Sequence, residues 1–220
     1  MNEAREACGT DEAMIALEVK QQNDFRLHQM GAPVNPSLPA IEEPSELHPK
    51  TAQDVAYRAW ALSYVTGVGY GCSGEEMLNR LGAVELDKHL TFREQKFLHK
   101  TTYTKSDLAW AAWQAEAVYG CAWALGLVDL DPLVGCPDDL ASHFRPDLDP
   151  RPSIRAARLR SFEEIYVQAD LHYRLHWAAR QARLDGTAFP LPEVAIQLRR
   201  HSLDWIVGLP YDWDDMPLDT

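Results

Sequence analysis

Two histidines, His172 and His176, stand four residues apart in the stretch FEEIYVQADLHYRLHWAARQARL. On a helix that spacing puts both rings on one face, where they could reach a single metal ion. The residues between them, Tyr173-Arg174-Leu175, lack the glutamate of the zinc-protease signature. Asp170 points elsewhere, and Arg174 and Arg180 are cations that would oppose a metal. His172 and His176 are therefore weak metal candidates. The expectation is no metal and no cofactor, with the pair hydrogen-bonded at a helix edge.

The same stretch carries a polar stripe. At 100° per residue, His176 and Arg180 fall beside an apolar face made by Phe162, Ile165, Ala169 and Tyr173, with Arg183 and His172 just outside it. A charge so near a core is costly unless paired. The C-terminal segment LPYDWDDMPLDT offers carboxylates at Asp212, Asp214, Asp215 and Asp219, with no basic residue among them. The segment is expected to fold back, pairing its carboxylates with Arg174, Arg180 or Arg183 and seating Trp213 as an apolar anchor. The candidate cluster is thus Asp170, Tyr173, Arg174, His176, Trp177, Arg180, Arg183, Trp213, Asp214 and Asp215. Read as a pocket, His176 could move a proton, or Arg174, Arg180 and Asp214 could help hold an anionic ligand. Read as structure, the cluster is an ion-pair network, and that reading is favoured.

Gly69-Tyr70-Gly71-Cys72-Ser73-Gly74 spells GxGxxG. The dinucleotide fingerprint needs a strand before it and an anion-welcoming helix start after it. Here a helical pattern precedes it, and Glu75 and Glu76 fill the first turn that follows, where they would repel a pyrophosphate. An interhelical turn is the better reading. No nucleophile, base and acid set stands out, so no catalytic residue is assigned.

Charge is the broader signal. Lys plus Arg number 21 and Asp plus Glu 33, giving a net charge of −12. Such a surface argues against nucleic acid, which needs cations to displace counterions, and against anionic lipid. It suits a basic protein partner. Asp129, Asp131, Asp138, Asp139, Asp147 and Asp149 make one loop acidic, and Arg151, Arg155, Arg158 and Arg160 follow it. These blocks either neutralise one another or present an acidic face to a basic partner, such as a toxin with a cationic cleft.

The elements that must position these residues are helical. Apolar periodicity predicts helices over 11–30 (through Met14, Ile15, Leu17, Phe25 and Leu27), 51–67, 74–81, the stretch after Thr91, 105–125, 161–184 and 193–208. Ser73/Glu76, Thr91/Glu94 and Ser161/Glu164 read as capping boxes. Residues 105–125 are apolar nearly all round, which predicts a central helix. Five prolines in 32–50 predict an extended segment anchored by Leu38 and Ile41. Residues 126–152 read as a loop with one helical turn at DDLASHF. The fold expected is a mainly α, single-domain bundle of about six to eight helices over 1–220. Its parts are an N-terminal helix (1–31), the proline-rich segment (32–50), a helical core (51–208) and an acidic tail packed back on the core (209–220).

Three stretches carry a family resemblance. They are Trp113–Glu116 running into WALGLVDLDP, then RSFEEIYVQADLHYRLHWAARQARLDG, then RRHSLDWIVG with YDWDDMPLDT. Together they resemble the bacterial family known as domain of unknown function 4272, from about Phe25 to Thr220. The most specific residues are Tyr173-Arg174, His176-Trp177, Arg183, Trp205 and Trp213-Asp214-Asp215. The resemblance implies bacterial origin and a mostly helical fold, and it transfers no activity and no site.

Cys8, Cys72, Cys121 and Cys136 form no CxxC pair, and four in a chain this long are not a disulfide scaffold. They are expected to be mostly buried free thiols. The N-terminus shows no basic start followed by an apolar run, and no stretch of about 18 apolar residues occurs. A cytoplasmic location is expected. The functional expectation is a non-catalytic protein-binding module, in concrete form an immunity or antitoxin-like protein that neutralises a basic toxin. The alternative is an enzyme or anionic-ligand binder built around His176, Arg174, Arg180 and Asp214.

Overall fold

Helix α1 spans Glu3–Gln29, and the computed structural model describes the backbone from Glu3 and the side chains from Ile15 to Thr220. Cys8 and Met14 lie outside the described side chains. The helices that follow are α2 (Ala52–Gly69), α3 (Gly74–Ala83), α4 (Phe92–Leu98), α5 (Lys105–Ala124), α6 (Arg151–Ala156), α7 (Phe162–Leu184) and α8 (Glu193–Val207). Short 3₁₀ turns occur at Pro44–Glu46, Asp87–His89, Asp138–His143 and Trp213–Asp215. The protein is mainly α, and the described residues contain no strand.

Helix starts follow from local chemistry. Thr91, Thr104 and Ser161 each accept a hydrogen bond from the backbone N–H three residues on, and Glu94, Asp107 and Glu164 reach back to the capping residue's own N–H. Ser73 also caps its helix, but Glu76 turns to Arg80 instead of closing the box. Helix α6 was not expected. It is short and begins with Pro152 in its first turn, where proline's missing N–H costs nothing.

Packing runs in the order α2, α5, α8, α7, α1. Two glycines set the close approaches: a Cβ at Gly69 would collide with the Ala112 backbone of α5, and one at Gly120 with the Ser202 hydroxyl of α8. Helix α5 is therefore enclosed on two sides, as its all-round apolar pattern predicts. Helix α7 is enclosed too, by α8 and α1. That is why His172, Asp170 and Arg174 are buried, although a single-face reading of α7 puts His172 at the edge.

The expected face of α1 is corrected. Leu27 is buried as expected, but Ile15, Leu17 and Phe25 are exposed, and the inward positions beside Leu27 are Ala16, Val19 and Asn23. That spacing is helical, but its third member is polar, which hides the pattern. The proline-rich segment lies along the body as expected, with Leu38 buried and Ile41 packed on the core. Its carbonyls are recognised directly: Tyr166 donates to Glu42 O at 3.1 Å and Arg174 to Pro39 O at 3.0 Å. Cys121 is buried, Cys136 half-buried and Cys72 exposed, so the described thiols are not mostly buried. No helix among the described residues is long and apolar enough to cross a membrane.

Candidate functional site

The predicted α7 cluster divides into separate internal networks. Asp170 receives both Nε and Nη2 of Arg174 at 2.8 Å, and Asn23 Nδ2 at 2.9 Å. Arg174 Nη1 lies 3.3 Å from Asp24. His172 donates Nδ1–H to Gln168 O at 2.9 Å, and burial pushes its pKa down to about 3, so it is neutral. His176 Nδ1 accepts from Arg200 Nη1 at 3.1 Å, while its Nε2 lies 3.8 Å from Glu193. Burial, reinforced by Arg200, pushes the His176 pKa down to about 4. The two imidazoles are committed to different partners, and no described group of three or more His, Cys, Asp or Glu residues is arranged to hold a metal ion.

The expected pairing of tail carboxylates with Arg174, Arg180 and Arg183 is not what the structure contains. Arg174 is engaged by Asp170, and Arg183 pairs with Glu193. Arg180 reaches the main-chain oxygen of Thr220 at 3.2 Å. Asp214 lies against the start of α4, its Oδ2 accepting from Arg93 N at 3.4 Å. The segment does fold back, but it is fastened through its backbone. His201 Nε2–H donates to Trp213 O at 2.8 Å, and Arg200 donates to Asp219 O at 3.0 Å. Trp213 is buried as anticipated, edge-on to Trp205, tilted against His201, and with the Arg58 guanidinium 4.8 Å from its ring. Trp177 packs on the Leu27, Leu171 and Leu175 cluster. The Tyr173 ring carries the Arg200 guanidinium at 4.7 Å.

Sequence reasoning missed three further buried ion pairs: Arg58–Glu94, Glu116–Arg199 and Arg200–Asp204. The signal was present. Arg58 in VAYRAWAL and Glu116 in AWQAEAVYG are the sole charges in helical runs that are mostly apolar. A charge with no polar face to occupy has to be buried with a partner.

By fastening where it does, the C-terminal segment builds a groove of about 600 Å³ with α2 and the start of α4. One wall is Lys50, Tyr57 and Arg58, and another is His89, Thr91 and Phe92. Trp205 and Trp213 also line the groove, with the exposed Asp212, Asp214 and Asp215 at its rim and Asp54 turned to the Thr51 cap. Phe92 is 80% exposed. Among the described residues, the Asp212 and Asp215 side chains make no hydrogen bond or ion pair. Lys50 holds its ammonium 5.2 Å from the centre of the Trp205 ring. His89 is stacked on Tyr57 with ring centres 3.9 Å apart, and burial lowers its pKa. A second recess of about 340 Å³ lies across Trp213 and Asp214, lined by Arg93, Trp110, Trp113 and His201.

The sequence profile described as Domain of unknown function (DUF4272) matches residues 19–216, nearly the whole chain. The chain belongs to this family. The matched region includes the whole described helical core and the groove rim through Asp215. No curated protein and no solved structure matches.

The acidic loop is only partly uncompensated. Asp147 is held by Arg145 and Asp149 by Arg151, all on the surface. Asp131 caps the Leu133 N–H, and Asp129 lies 3.8 Å from Arg160. Asp138 and Asp139 are exposed on their 3₁₀ turn. The groove rim gathers three carboxylates beside the exposed Phe92 ring, whereas this loop sets only Asp138 near an exposed aromatic, Tyr70. The Trp205 and Trp213 rings already carry Lys50 and Arg58, so the rim carboxylates are the groups left to bind a further cation.

Proposed function

We propose that this chain is a non-catalytic protein-binding module whose groove receives a basic segment of a partner protein. The observation that carries the reading is the rim of Asp212, Asp214 and Asp215 beside exposed Phe92 and the Trp205 indole. An arginine or lysine side chain would lay its aliphatic stem along Phe92 and set its charged head against a rim carboxylate. In its concrete form the partner is a basic toxin domain, neutralised in the cytoplasm by an immunity-type protein. The net charge of −12 supports this by speeding encounter with a cationic surface. Nucleic acid and membrane are not the partners this charge suits. The alternative, a catalytic or anion-binding pocket around His176, Arg174, Arg180 and Asp214, loses its support because those groups are engaged separately.

The test is selection of short random peptides displayed on phage. Peptides rich in Arg or Lys next to an apolar residue should be enriched, with binding that weakens as salt rises. Changing Asp212, Asp214 and Asp215 together to Asn should weaken the selected peptides about tenfold, at roughly 0.2–1 kcal/mol per exposed charge. Selection of no basic peptides, or equal binding by the triple variant, would sink the reading.

A further inference from the structure

The GxGxxG string, unsuited to a dinucleotide, builds the edge of a different feature. A partly roofed cavity of about 420 Å³ lies between the α2/α5 pair and the segment 136–146. Its floor is Gly67 on α2 with Ala115 and Val118 on α5. These are small side chains or none, so the floor is recessed. The roof is the 3₁₀ turn, with Leu140 and Phe144 buried and Ala141 exposed. Tyr70 and Cys72 of the glycine-rich turn, with Cys136 opposite, form the mouth.

The roof is fixed at several points, so the space is a standing part of the fold. Cys136 N donates to Glu116 at 3.2 Å at one end, and Arg80 donates to Pro146 O at 3.2 Å at the other. Between them Phe144 packs edge-on against Trp60. Ligand pockets commonly span about 300–1,000 Å³ and are mostly apolar, and even an engineered apolar cavity of about 150 Å³ takes up benzene.

The wall also sets the chemistry of the occupant. The Thr66 and Ser63 hydroxyls already donate to Leu62 O and Trp60 O. Arg145 is held by Asp147 through two hydrogen bonds. Asp138 at the mouth would repel an anion. Burial pushes the Cys136 thiol up to about 11, so it stays protonated and uncharged at neutral pH. Among the described residues, no uncommitted cation lines the space. We infer that the cavity is a binding site for a small neutral apolar molecule, about the size of a two- or three-ring aromatic. This site is separate from the acidic groove and does not depend on it.

The full chain titrated with N-phenyl-1-naphthylamine, a neutral apolar fluorophore, tests this. Fluorescence should rise and saturate at one probe per chain. Ala141→Phe places a ring in the space from an exposed roof position, so folding is not at stake. Gly67→Leu fills it from the floor, where an added Cβ meets only ordinary contacts with Cys72 and Met77. Each should weaken the probe by about tenfold or more, as a pocket altered by a few carbon atoms does. Saturating probe should also slow alkylation of the exposed Cys72 by iodoacetamide. The inference is overturned by a titration that does not saturate, by binding that survives both substitutions, or by Cys72 alkylation at the same rate with and without probe.

Discussion

Arg58 and Glu94 meet through one guanidinium nitrogen, Nη2, which lies 2.7 Å from both carboxylate oxygens. The same carboxylate accepts Thr91 N–H at 2.9 Å and closes the capping box of α4. A buried ion pair and a helix start therefore share one residue. Glu94→Ala should lower stability by about 3–5 kcal/mol, because it strands Arg58 in the interior. Glu94→Gln should cost less, since an amide oxygen can still close the cap. Arg58→Met with Glu94→Gln should recover much of the loss, as apolar replacements of buried pairs often do. Urea unfolding of the three variants checks the order. Equal loss in all three would remove the pair from the account.

Asn23 is the polar member of the buried face of α1. It donates to Val167 O and to Asp170, and accepts from Arg26 at 3.1 Å. Asn23→Ala should cost about 2 kcal/mol through unmet buried acceptors. Asn23→Asp should cost more at neutral pH, because it sets a carboxylate against a carbonyl and against Asp170. Chemical denaturation at pH 7 decides this. A neutral Asn23→Ala would mean that α1 contributes little to the fold.

Three histidines make the protein sensitive to acid. Burial holds His172 at about 3, and His176 and His201 at about 4, against an ordinary value near 6.5. The unfolded chain therefore binds more protons than the folded one between pH 6.5 and 4, and stability falls as pH falls through that window. Asp204 works the other way. Burial pushes it up to about 7 against the pull of Arg200, so it loses stability as pH rises. His89 is lowered in the same direction as these three, so the histidines outweigh Asp204 and leave a net loss on acidification, on the order of 2 kcal/mol per pH unit between about pH 6 and 5. Urea midpoints at pH 7, 6 and 5 should fall steadily. A flat profile would contradict the burial of these rings.

Trp213 anchors the C-terminal segment where its acids do not. Trp213→Ala should lower stability by about 3 kcal/mol, in the range of large-to-small changes at buried aromatics. Asp214→Asn and Asp215→Asn should each change it by less than about 0.5 kcal/mol, as exposed substitutions do. Thermal unfolding of the three variants tests the contrast.

The helices were legible because their signals are local. Capping serines and threonines, and the all-round apolar run of α5, need no tertiary information. The buried face of α1 was not legible, because Asn23 interrupts it and its justification, Asp170, lies 147 residues away. The short α6 lacks a capping side chain and so gave no start signal. The site was read only in part. Trp213 was found as the anchor, since a tryptophan among acids has no other obvious use. Its neighbours were misassigned because helical periodicity treats α7 as having one inner face. With two inner faces, Arg174 is paired by Asp170 on α7 itself and approached by Asp24 of α1, His176 is met by α8, and the tail carboxylates are left for the groove.

Apart from the buried side chains of Trp213 and Met216, segment 209–220 is read by the body largely at main-chain oxygens, those of Trp213, Asp219 and Thr220, which every amino acid supplies. Its course is thus indifferent to most of the side chains it bears. The rim positions can be rewritten, acid for base or polar for apolar, without moving the walls they stand on. One scaffold could then carry different rim chemistries, with the change confined to a few codons.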